Sequence, residues 1–242
     1  MVYFSKKQNE EEFLKHIKPI LSTLKNKKLI ISDGDETISI EDTSRIFFEL
    51  CDNIPLWDKI RKNFKEKGRT HKGYLGAAKI YSKIPSDEYE KYCEETVAQI
   101  KFRNFWQELL KLNTEIIVVT SGINLLWNKL IKKNGLKNVT VIGGNNFNEK
   151  KFIVTPSIKG LLLDRLKSQN NKIMSFGDSR VDRHLLRNAD LGCIVTNARN
   201  SPGLVETLRK HNNIVQLKIN EEHSDLLPVK NIKEIMKIYN EL

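Results

Sequence analysis

A short apolar segment that ends in acidic residues constrains the fold of this chain more than any other feature. Lys28-Leu-Ile-Ile-Ser32 has the length and composition of a strand and leads directly into Asp33-Gly-Asp-Glu-Thr37. Strands that are apolar throughout are typical of parallel sheets covered on both faces by helices. Ligands bind such sheets at the carboxyl ends of the strands. The segment therefore predicts a buried parallel strand that carries Asp33 and Asp35 to a ligand site.

Strand-like and helix-like patterns alternate along most of the remaining chain. Further strands are predicted at residues 115–120, 139–142, 172–176, 193–195 and 214–217, with a hairpin strand beside the second of these at 151–154. Helical periodicity covers residues 10–24, 125–134, 159–167, 180–188 and 229–239. Repeated strand–helix units build a parallel sheet with helices on both faces. We therefore predict a Rossmann-like three-layer α/β/α core.

Residues 40–104 interrupt this alternation, because they carry apolar residues at helical intervals and no strand pattern. Pro55 and Pro85 stand at predicted helix starts, where proline is favoured. We predict roughly four helices inserted after the first strand. The expected division is a core domain of residues 1–39 and 105–242 and a small helical domain of residues 40–104.

The net charge of +11 leaves three kinds of partner open: nucleic acid, an anionic membrane surface, or a small anionic substrate. The lysines are scattered and form no compact basic stripe with interleaved aromatic residues, which disfavours nucleic acid. The sequence has no apolar run of about 18 residues and no signal-peptide pattern, so we expect neither a membrane span nor export. Three cysteines without metal-ligand spacing fit free thiols in a reducing cytoplasm.

Asp33 and Asp35 stand two residues apart in the loop after the first strand, where both carboxylates can converge on one ligand. A carboxylate is a suitable nucleophile for phosphoryl transfer, because it forms a hydrolysable aspartyl-phosphate. Its own negative charge repels phosphate, so a divalent cation such as Mg²⁺ must offset that charge. The alternative for this motif, which ends at Thr37, is a polar turn with helix-capping acids.

Three more polar features follow in chain order at predicted strand ends or helix starts. Thr120-Ser121-Gly122 ends a strand and offers a hydroxyl and backbone N–H groups to phosphate oxygens. Lys159 opens a helix, where its ammonium can neutralise a phosphate and a nucleophile. In Gly177-Asp-Ser-Arg-Val-Asp182, Asp178 is placed to complete a metal site and Asp182 to hold Lys159 or a metal-bound water. Taken singly, a Ser-Gly turn, a solvated lysine and a capping aspartate are the alternatives.

The order and placement of these four features resemble the motifs of the haloacid-dehalogenase-like (HAD) phosphatase superfamily. The resemblance implies that Asp33 is the nucleophile, that Asp35 is the general acid and then the base, and that Lys159 neutralises charge. It also implies a Mg²⁺ ion bound by Asp33, the backbone carbonyl of Asp35 and Asp178, with Asp182 supporting the site.

The resemblance covers roughly residues 28–210 and makes the helical insertion what that superfamily calls a C1 cap. It implies phosphate contacts from Thr37, Ser121 and Gly122. It further implies a substrate contact from Asp42, an acid one methylene shorter than the glutamate common at that position.

Within the superfamily, Lys159-Gly160 at a helix start and residues 177–189 look most like the phosphoserine-phosphatase branch. Three positions depart from that branch. Gly34 stands where a bulky apolar residue is more usual, and Val181 where asparagine is often found. Lys79 is the only cation in the segment where the branch has an arginine for the substrate carboxylate, and an ammonium is not a bidentate fork.

We therefore predict a Mg²⁺-dependent phosphoric monoester hydrolase that acts on a small phosphorylated metabolite, phosphoserine-like or other. A nucleotide or sugar phosphatase and a phosphotransferase of the same superfamily remain alternatives, because they share all four motifs. A basic nucleic-acid-binding protein on the same scaffold is the alternative outside this class. The motifs leave the substrate and the oligomeric state open.

Other polar and aromatic residues have weaker patterns. Arg69, His71 and Lys72 lie beside Gly68, where they form either a loop that reaches the site or a solvated surface. His184 is predicted to be a packing or surface residue. Four aromatic residues at helical spacing are predicted to be core rather than a stacking platform: Trp57, Phe102, Phe105 and Trp106.

Overall fold

The computed structural model describes residues 5–51, 54–144, 152–196, 201–219 and 224–242. Within these residues the chain forms one seven-stranded sheet in the order β3-β2-β1-β4-β5-β6-β7, and every neighbouring pair of strands is parallel. The strands are β1 (Lys28–Ser32), β2 (Glu115–Ile123), β3 (Val139–Gly144), β4 (Lys172–Gly177), β5 (Leu191–Val195), β6 (Ile214–Leu217) and β7 (Val229–Lys230). The predicted parallel sheet is confirmed.

Helices cover both faces of this sheet. On β1, Ile30 belongs to one apolar cluster and Leu29 and Ile31 to another, because successive side chains of a strand point to opposite faces. Trp127 packs in the first cluster and Phe13 in the second. The helices are α1 (Lys6–Thr23), α2 (Thr43–Leu50), α3 (Ile54–Lys67), α4 (His71–Tyr81), α5 (Ser86–Gln99), α6 (Asn104–Leu110), α7 (Asn124–Lys133), α8 (Pro156–Lys167), α9 (Arg183–Asn188), α10 (Ser201–Leu208) and α11 (Ile232–Glu241). The predicted three-layer arrangement is confirmed.

Helices α2 to α5 form the helical insertion between β1 and β2. The two chain segments that connect it to the sheet lie side by side. Ser39 and Phe102 form an antiparallel bridge, the Ile40 N–H donates to the Lys101 carbonyl at 3.0 Å, and the Arg103 N–H donates to the Ile38 carbonyl at 2.8 Å. The insertion therefore enters and leaves through a short two-stranded connection.

The predicted hairpin strand at 151–154 is wrong for the residues that the structure describes. Residues 152–154 have no strand hydrogen bonds, and Lys151 lies outside the described residues. The side chain of Asn9 on α1 takes their place: its Oδ1 accepts the Ile153 N–H at 2.7 Å, and its Nδ2 donates to the Ile153 carbonyl at 3.0 Å. One buried amide thus satisfies the backbone groups that a ladder would have used.

The predicted helix at 229–239 begins later than expected. Val229–Lys230 form the edge strand β7, where the Lys230 carbonyl accepts the Lys218 N–H at 2.8 Å. Helix α11 begins at Ile232, directly after the N-cap residue Asn231. The apolar periodicity of the helix continues into the strand, so the pattern alone misplaced the boundary.

Two other boundaries differ in ways that affect the site. Helix α8 begins at Pro156, three residues before the predicted start at 159, because the Thr155 hydroxyl caps it and proline is favoured in a first turn. The predicted helix at 180–188 divides into a 3₁₀ turn, Arg180–Asp182, and the short α9. Among the described residues, no helix combines the length and the apolar character needed to cross a bilayer.

Candidate active site

The ends of three neighbouring strands bring the predicted site residues together. Strand β1 lies between β2 and β4, and the strand order changes direction there. Asp33 follows β1, Ser121 lies near the end of β2, and Asp178 follows β4. This is the topological switch point, where open α/β sheets bind their ligands.

A buried lysine joins two carboxylates at the floor of this edge. Lys159 Nζ lies 2.8 Å from Asp33 Oδ1 and 2.8 Å from Asp182 Oδ1. Lys159 and Asp182 are both 0% exposed and Asp33 is 8% exposed. Lys159 reaches the floor because α8 starts early enough for its first turn to point at the strand ends. Gly177 makes room for Asp182, since a Cβ at position 177 would lie 2.5 Å from the Asp182 Cβ.

Burial and the charges of neighbouring groups strongly shift the pKa values of Asp33 and Lys159. Burial, followed by repulsion from Asp182, raises the pKa of Asp33 to about 7, although Lys159 opposes the rise. Burial alone would lower the pKa of Lys159, but the carboxylates of Asp182 and Asp33 outweigh it and raise that pKa above its ordinary value. One ammonium does not balance the acidic groups here, so the site favours a further positive charge beside Asp33.

Three carboxylates lie close enough to share a cation: oxygens of Asp33, Asp178 and Asp182 are all within 4.8 Å of one another. Asp182 is already held by Lys159 and by the N–H and hydroxyl of Ser179, both at 3.3 Å. Asp178 Oδ1 accepts the Thr37 hydroxyl at 2.9 Å. The donor set is therefore all oxygen and mostly anionic, which fits a small divalent cation such as Mg²⁺.

Asp35 points to the other side of the loop, beneath the helical insertion. Its Oδ1 accepts the Thr43 N–H at 3.0 Å and the Thr43 hydroxyl, at the start of α2. Its Oδ2 faces Gly122, where a Cβ would lie 2.5 Å away. Burial, followed by repulsion from Asp42, raises the pKa of Asp35 to about 7. Asp35 therefore has the environment of a carboxyl group that exchanges protons near neutral pH.

Three residues predicted to contact phosphate or substrate make contacts within the protein itself. The Gly122 N–H donates to Thr120 Oγ1 at 2.9 Å, so Gly122 gives Asp35 space while its own donor is engaged. Thr37 supports Asp178. Asp42 caps α2 by accepting the Arg45 N–H at 3.1 Å, and it also lines the cavity above the site.

A cavity of about 620 Å³ opens above these groups, between the strand ends and the helical insertion. From the core it is lined by Asp33, Asp35, Glu36, Ser121, Gly122, Asp178, Ser179, Arg180, Val181 and Gly203. From the insertion it is lined by Asp42, Ser44, Trp57, Ile60, Arg61, Phe64, Arg69, Tyr74, Ala77 and Tyr81. The predicted phosphate site is thus the floor of a much larger space.

Of the residues with weaker sequence patterns, some line this cavity and others lie away from it. Arg69 lines it, whereas His71, Lys72 and Lys79 are not among its described lining residues. His184 lies outside it, against the position of Gly160. Trp57 packs on Phe48 with ring centroids 5.9 Å apart and also lines the cavity, so the prediction of a purely core residue is incomplete. Phe102, Phe105 and Trp106 belong to the core cluster or pack against it, as predicted.

Tyr74 is a candidate functional residue that the sequence reasoning missed. It stands on α4 of the insertion and is 4% exposed. Burial raises the pKa of its phenol, and the charges of Arg69 and Lys159 and the hydroxyl of Ser121 oppose that rise. Because Ser121 and Lys159 are among these neighbours, the phenol lies beside the predicted phosphate site. The spacing of Tyr74, Ala77 and Tyr81 places them on one face of α4, and all three line the cavity. This spacing is the sequence pattern that could have indicated Tyr74.

The unusual Gly34 is explained by the side chain that faces it. A Cβ at position 34 would lie 2.5 Å from Cζ2 of the Trp127 indole. Trp127 on α7 is fully buried and fills the space that a bulkier residue between the two aspartates would need. Positions 34 and 127 therefore form one packing unit, in which the Trp127 indole on the helix fills the space beside the side-chain-free Gly34 in the loop.

No family model matches this chain, and no curated protein matches it. Several solved structures do. One described as a phospho-aspartyl intermediate analogue of phosphoserine phosphatase has a TM-score of 0.57 and 18% identity, covering 88% of this chain and 99% of that chain. A substrate-bound phosphoserine phosphatase complex has a TM-score of 0.56 and 19% identity, with the same coverage. A HAD family hydrolase from Salmonella enterica serovar Typhi has a TM-score of 0.55 and 14% identity, covering 81% of this chain and 74% of that chain.

These likenesses establish the fold, and the predicted resemblance is confirmed at that level: the chain has a HAD-like α/β fold. The two phosphoserine phosphatase structures are matched over 99% of their own length, so the similarity of fold extends over nearly the whole of those chains.

Proposed function

We propose that this protein is a Mg²⁺-dependent phosphatase that hydrolyses a small-molecule phosphomonoester through an aspartyl-phosphate on Asp33. The observation that carries the proposal is the buried array of Asp33, Lys159 and Asp182, with Asp178 beside it, at the switch point of the sheet. Structural packing alone gives no reason to bury two carboxylates around one lysine, with a third carboxylate beside them, at an open ligand edge. The likeness to a substrate-bound phosphoserine phosphatase complex supports a small phosphorylated substrate.

The metal proposal follows from the acidic donor set. Asp33, the backbone carbonyl of Asp35 and Asp178 would hold Mg²⁺, with Asp182 kept for Lys159. When bound, the ion would offset the negative charge of the phosphate and of the carboxylates. Lys159 supplies a second, permanent positive charge from below.

Two aspartates perform the proposed chemistry. A carboxylate oxygen of Asp33 attacks phosphorus, the bond from phosphorus to the ester oxygen breaks, and Asp35 gives its proton to the departing alcohol. Water then attacks the aspartyl-phosphate, Asp35 takes a proton from that water, and inorganic phosphate leaves with Asp33 restored. The raised pKa of Asp35, about 7, supports a proton-carrying form at neutral pH.

Other residues orient the phosphoryl group and enclose it. Ser121 and Tyr74 are the proposed phosphate donors, one from β2 and one from the insertion. The insertion, residues 40–104, acts in this proposal as a cap domain on a core of residues 1–39 and 105–242. It closes the roof of the cavity and so limits water and selects the leaving group. A cytoplasmic location stays a prediction.

The test is a phosphatase assay on the purified chain with Mg²⁺ and a panel of phosphomonoesters. The Asp33→Asn variant is expected to lose turnover by at least about 1,000-fold while its circular dichroism and melting temperature stay close to those of the parent. Asp164→Asn, an exposed position on α8, is the matched control. Near-normal turnover by Asp33→Asn would overturn the proposal.

A further inference from the structure

One face of helix α3 forms a wall of the cavity. Trp57, Ile60, Arg61 and Phe64 are spaced by three or four residues, which places them on one side of a helix, and all four line the cavity. The cavity volume of about 620 Å³ lies within the range of roughly 300–1,000 Å³ typical of pockets that bury drug-sized ligands. A phosphoryl group with a leaving group as small as serine leaves most of this wall without contact.

The aromatic rings of this wall are held in place by other rings. Trp57 stacks on Phe48 at 5.9 Å with an interplanar angle of 26°, and Phe64 meets Tyr74 edge to face at 5.1 Å. Trp57 and Phe64 are nevertheless only partly buried. Rigid rings with accessible surface bind an apolar or aromatic group at a low cost in conformational entropy.

The cations that line the cavity are unusual for this chain. The sequence has 31 lysines and ten arginines, yet the cations among the described lining residues are Arg61, Arg69 and Arg180, without a lysine. Arginine is the residue that binds carboxylate and phosphate groups in a bidentate manner. Three arginines that line one cavity therefore favour an anionic group in addition to the phosphoryl group.

The position of Arg69 strengthens this reading. Its guanidinium lies over the Phe64 ring, 4.2 Å from the centroid, so it is oriented by the wall itself. Within the described part of the chain, no carboxylate lies at ion-pair distance from Arg69, whereas Arg61 makes only a long, exposed contact with Asp58 at 3.8 Å. Binding an anion would thus require no buried ion pair to be broken.

We propose that the leaving group of the natural substrate combines an apolar, preferably aromatic, body that packs on Trp57 and Phe64 with a second acidic group bound by Arg69 and Arg61. This inference rests on the proposed phosphatase function and adds a substrate class to it: phosphomonoesters of hydroxy compounds that are larger than serine and carry their own negative charge. Carboxylate and phosphate share the chemistry that the guanidinium groups recognise.

Four substrates separate the two features: propyl phosphate, omega-carboxypropyl phosphate, benzyl phosphate and para-carboxybenzyl phosphate. All four release a primary alcohol, so the intrinsic reactivity of the leaving group varies little. We expect the aromatic body and the second acid to raise kcat/KM by about 10-fold each. The analogue with phosphonate in place of the para-carboxylate reports whether the second site prefers a phosphate-like group.

Variants assign each gain to its residues. Arg69→Gln, and Arg61→Gln as a second variant, are expected to remove the gain from the acid and to keep the gain from the ring. Trp57→Leu is expected to remove the gain from the aromatic ring and to keep the gain from the acid. Arg45→Gln is the control, because Arg45 is an exposed arginine of the same insertion that pairs with Glu49 outside the cavity.

The outcomes for this inference and for the proposed function are distinguishable. Hydrolysis of all four compounds with kcat/KM values within twofold of one another overturns the substrate class and leaves the phosphatase function supported. An equal loss on all four substrates in Arg69→Gln and Arg61→Gln also overturns it, because it assigns the arginines to a general role. Failure to hydrolyse any of them, or para-nitrophenyl phosphate, overturns both proposals.

Discussion

The backbone of Gly122 lies directly against the carboxylate of Asp35. A Cβ at position 122 would be only 2.5 Å from Asp35 Oδ2, so no side chain fits there without displacing the carboxylate. The same strand end thus carries Ser121 toward the proposed phosphate site and leaves the space that the proposed proton-transfer group occupies. Strand β2 and the loop after β1 are fitted to each other at this one position.

Gly122→Ala is therefore expected to displace Asp35 and to lower kcat by roughly 10–100-fold. Gly160→Ala is the control, since its Cβ would meet only the His184 side chain, at 3.4 Å. Steady-state kinetics with one phosphomonoester measure both variants. Equal activity of the two variants would contradict the positional role of Gly122.

Gly34→Ala is expected to reduce the free energy of unfolding by about 1–3 kcal/mol, because the new methyl group overlaps the Trp127 indole. Combining it with Trp127→Leu tests the packing unit. Urea unfolding of the two single variants and the double variant should give a favourable coupling energy of about 1 kcal/mol or more. Simple additivity of the two single effects would show that the positions are independent.

Lys159→Met is expected to destabilise the fold by about 3–5 kcal/mol, because it leaves Asp33 and Asp182 buried without their shared cation. The double variant Lys159→Met with Asp182→Asn removes one of these two charges and should recover a large part of that loss. Both variants are expected to lack phosphatase activity. Equal unfolding free energies for the single and double variants would contradict this account of the charges.

Asp178→Asn is expected to abolish stabilisation of the protein by Mg²⁺. Binding to the native state alone stabilises it by about 2.7 kcal/mol when the free ion is at 100 times its Kd. The measurement is the melting temperature with and without MgCl₂, with Asp164→Asn as the control. An unchanged Mg²⁺ response in Asp178→Asn would place the ion elsewhere.

Tyr74→Phe is expected to reduce kcat/KM about 10-fold or more, by the same factor for every leaving group, because the proposed contact is to the phosphoryl group that all substrates share. It should also weaken competitive inhibition by inorganic phosphate. Tyr89→Phe controls for removal of a buried hydroxyl from the same insertion, away from the cavity. A loss that varies with the leaving group would assign Tyr74 to substrate selection instead.

The sheet and the floor of the site follow closely from the sequence because their signals are local. Strand β1 has the bounds predicted from five consecutive residues, and Asp33 and Asp178 each come directly after an apolar run. Parallel topology then carries those residues to one edge without any further information.

Features that depend on contacts between distant segments were not predictable in this way. The strand expected at 151–154 is replaced by a contact with Asn9, 144 residues away in sequence. Tyr74 reaches Ser121 only because the insertion folds back over the sheet. In the sequence Gly34 is only a departure from a family pattern, and its reason, the Trp127 indole that occupies the adjacent space, is visible only in the folded chain. In each case the partner is invisible in the local sequence.

The two-stranded connection at Ser39 and Phe102 has an evolutionary consequence. Because the insertion starts and ends at adjacent points, its helices can lengthen, shorten or be exchanged while the sheet keeps its register. Under the proposed function, a protein with this architecture can acquire a new substrate through changes within residues 43–99, while the aspartates and the lysine of the core stay unchanged. Grafting the insertion of one such protein onto the core of another is accordingly a direct route to redesign.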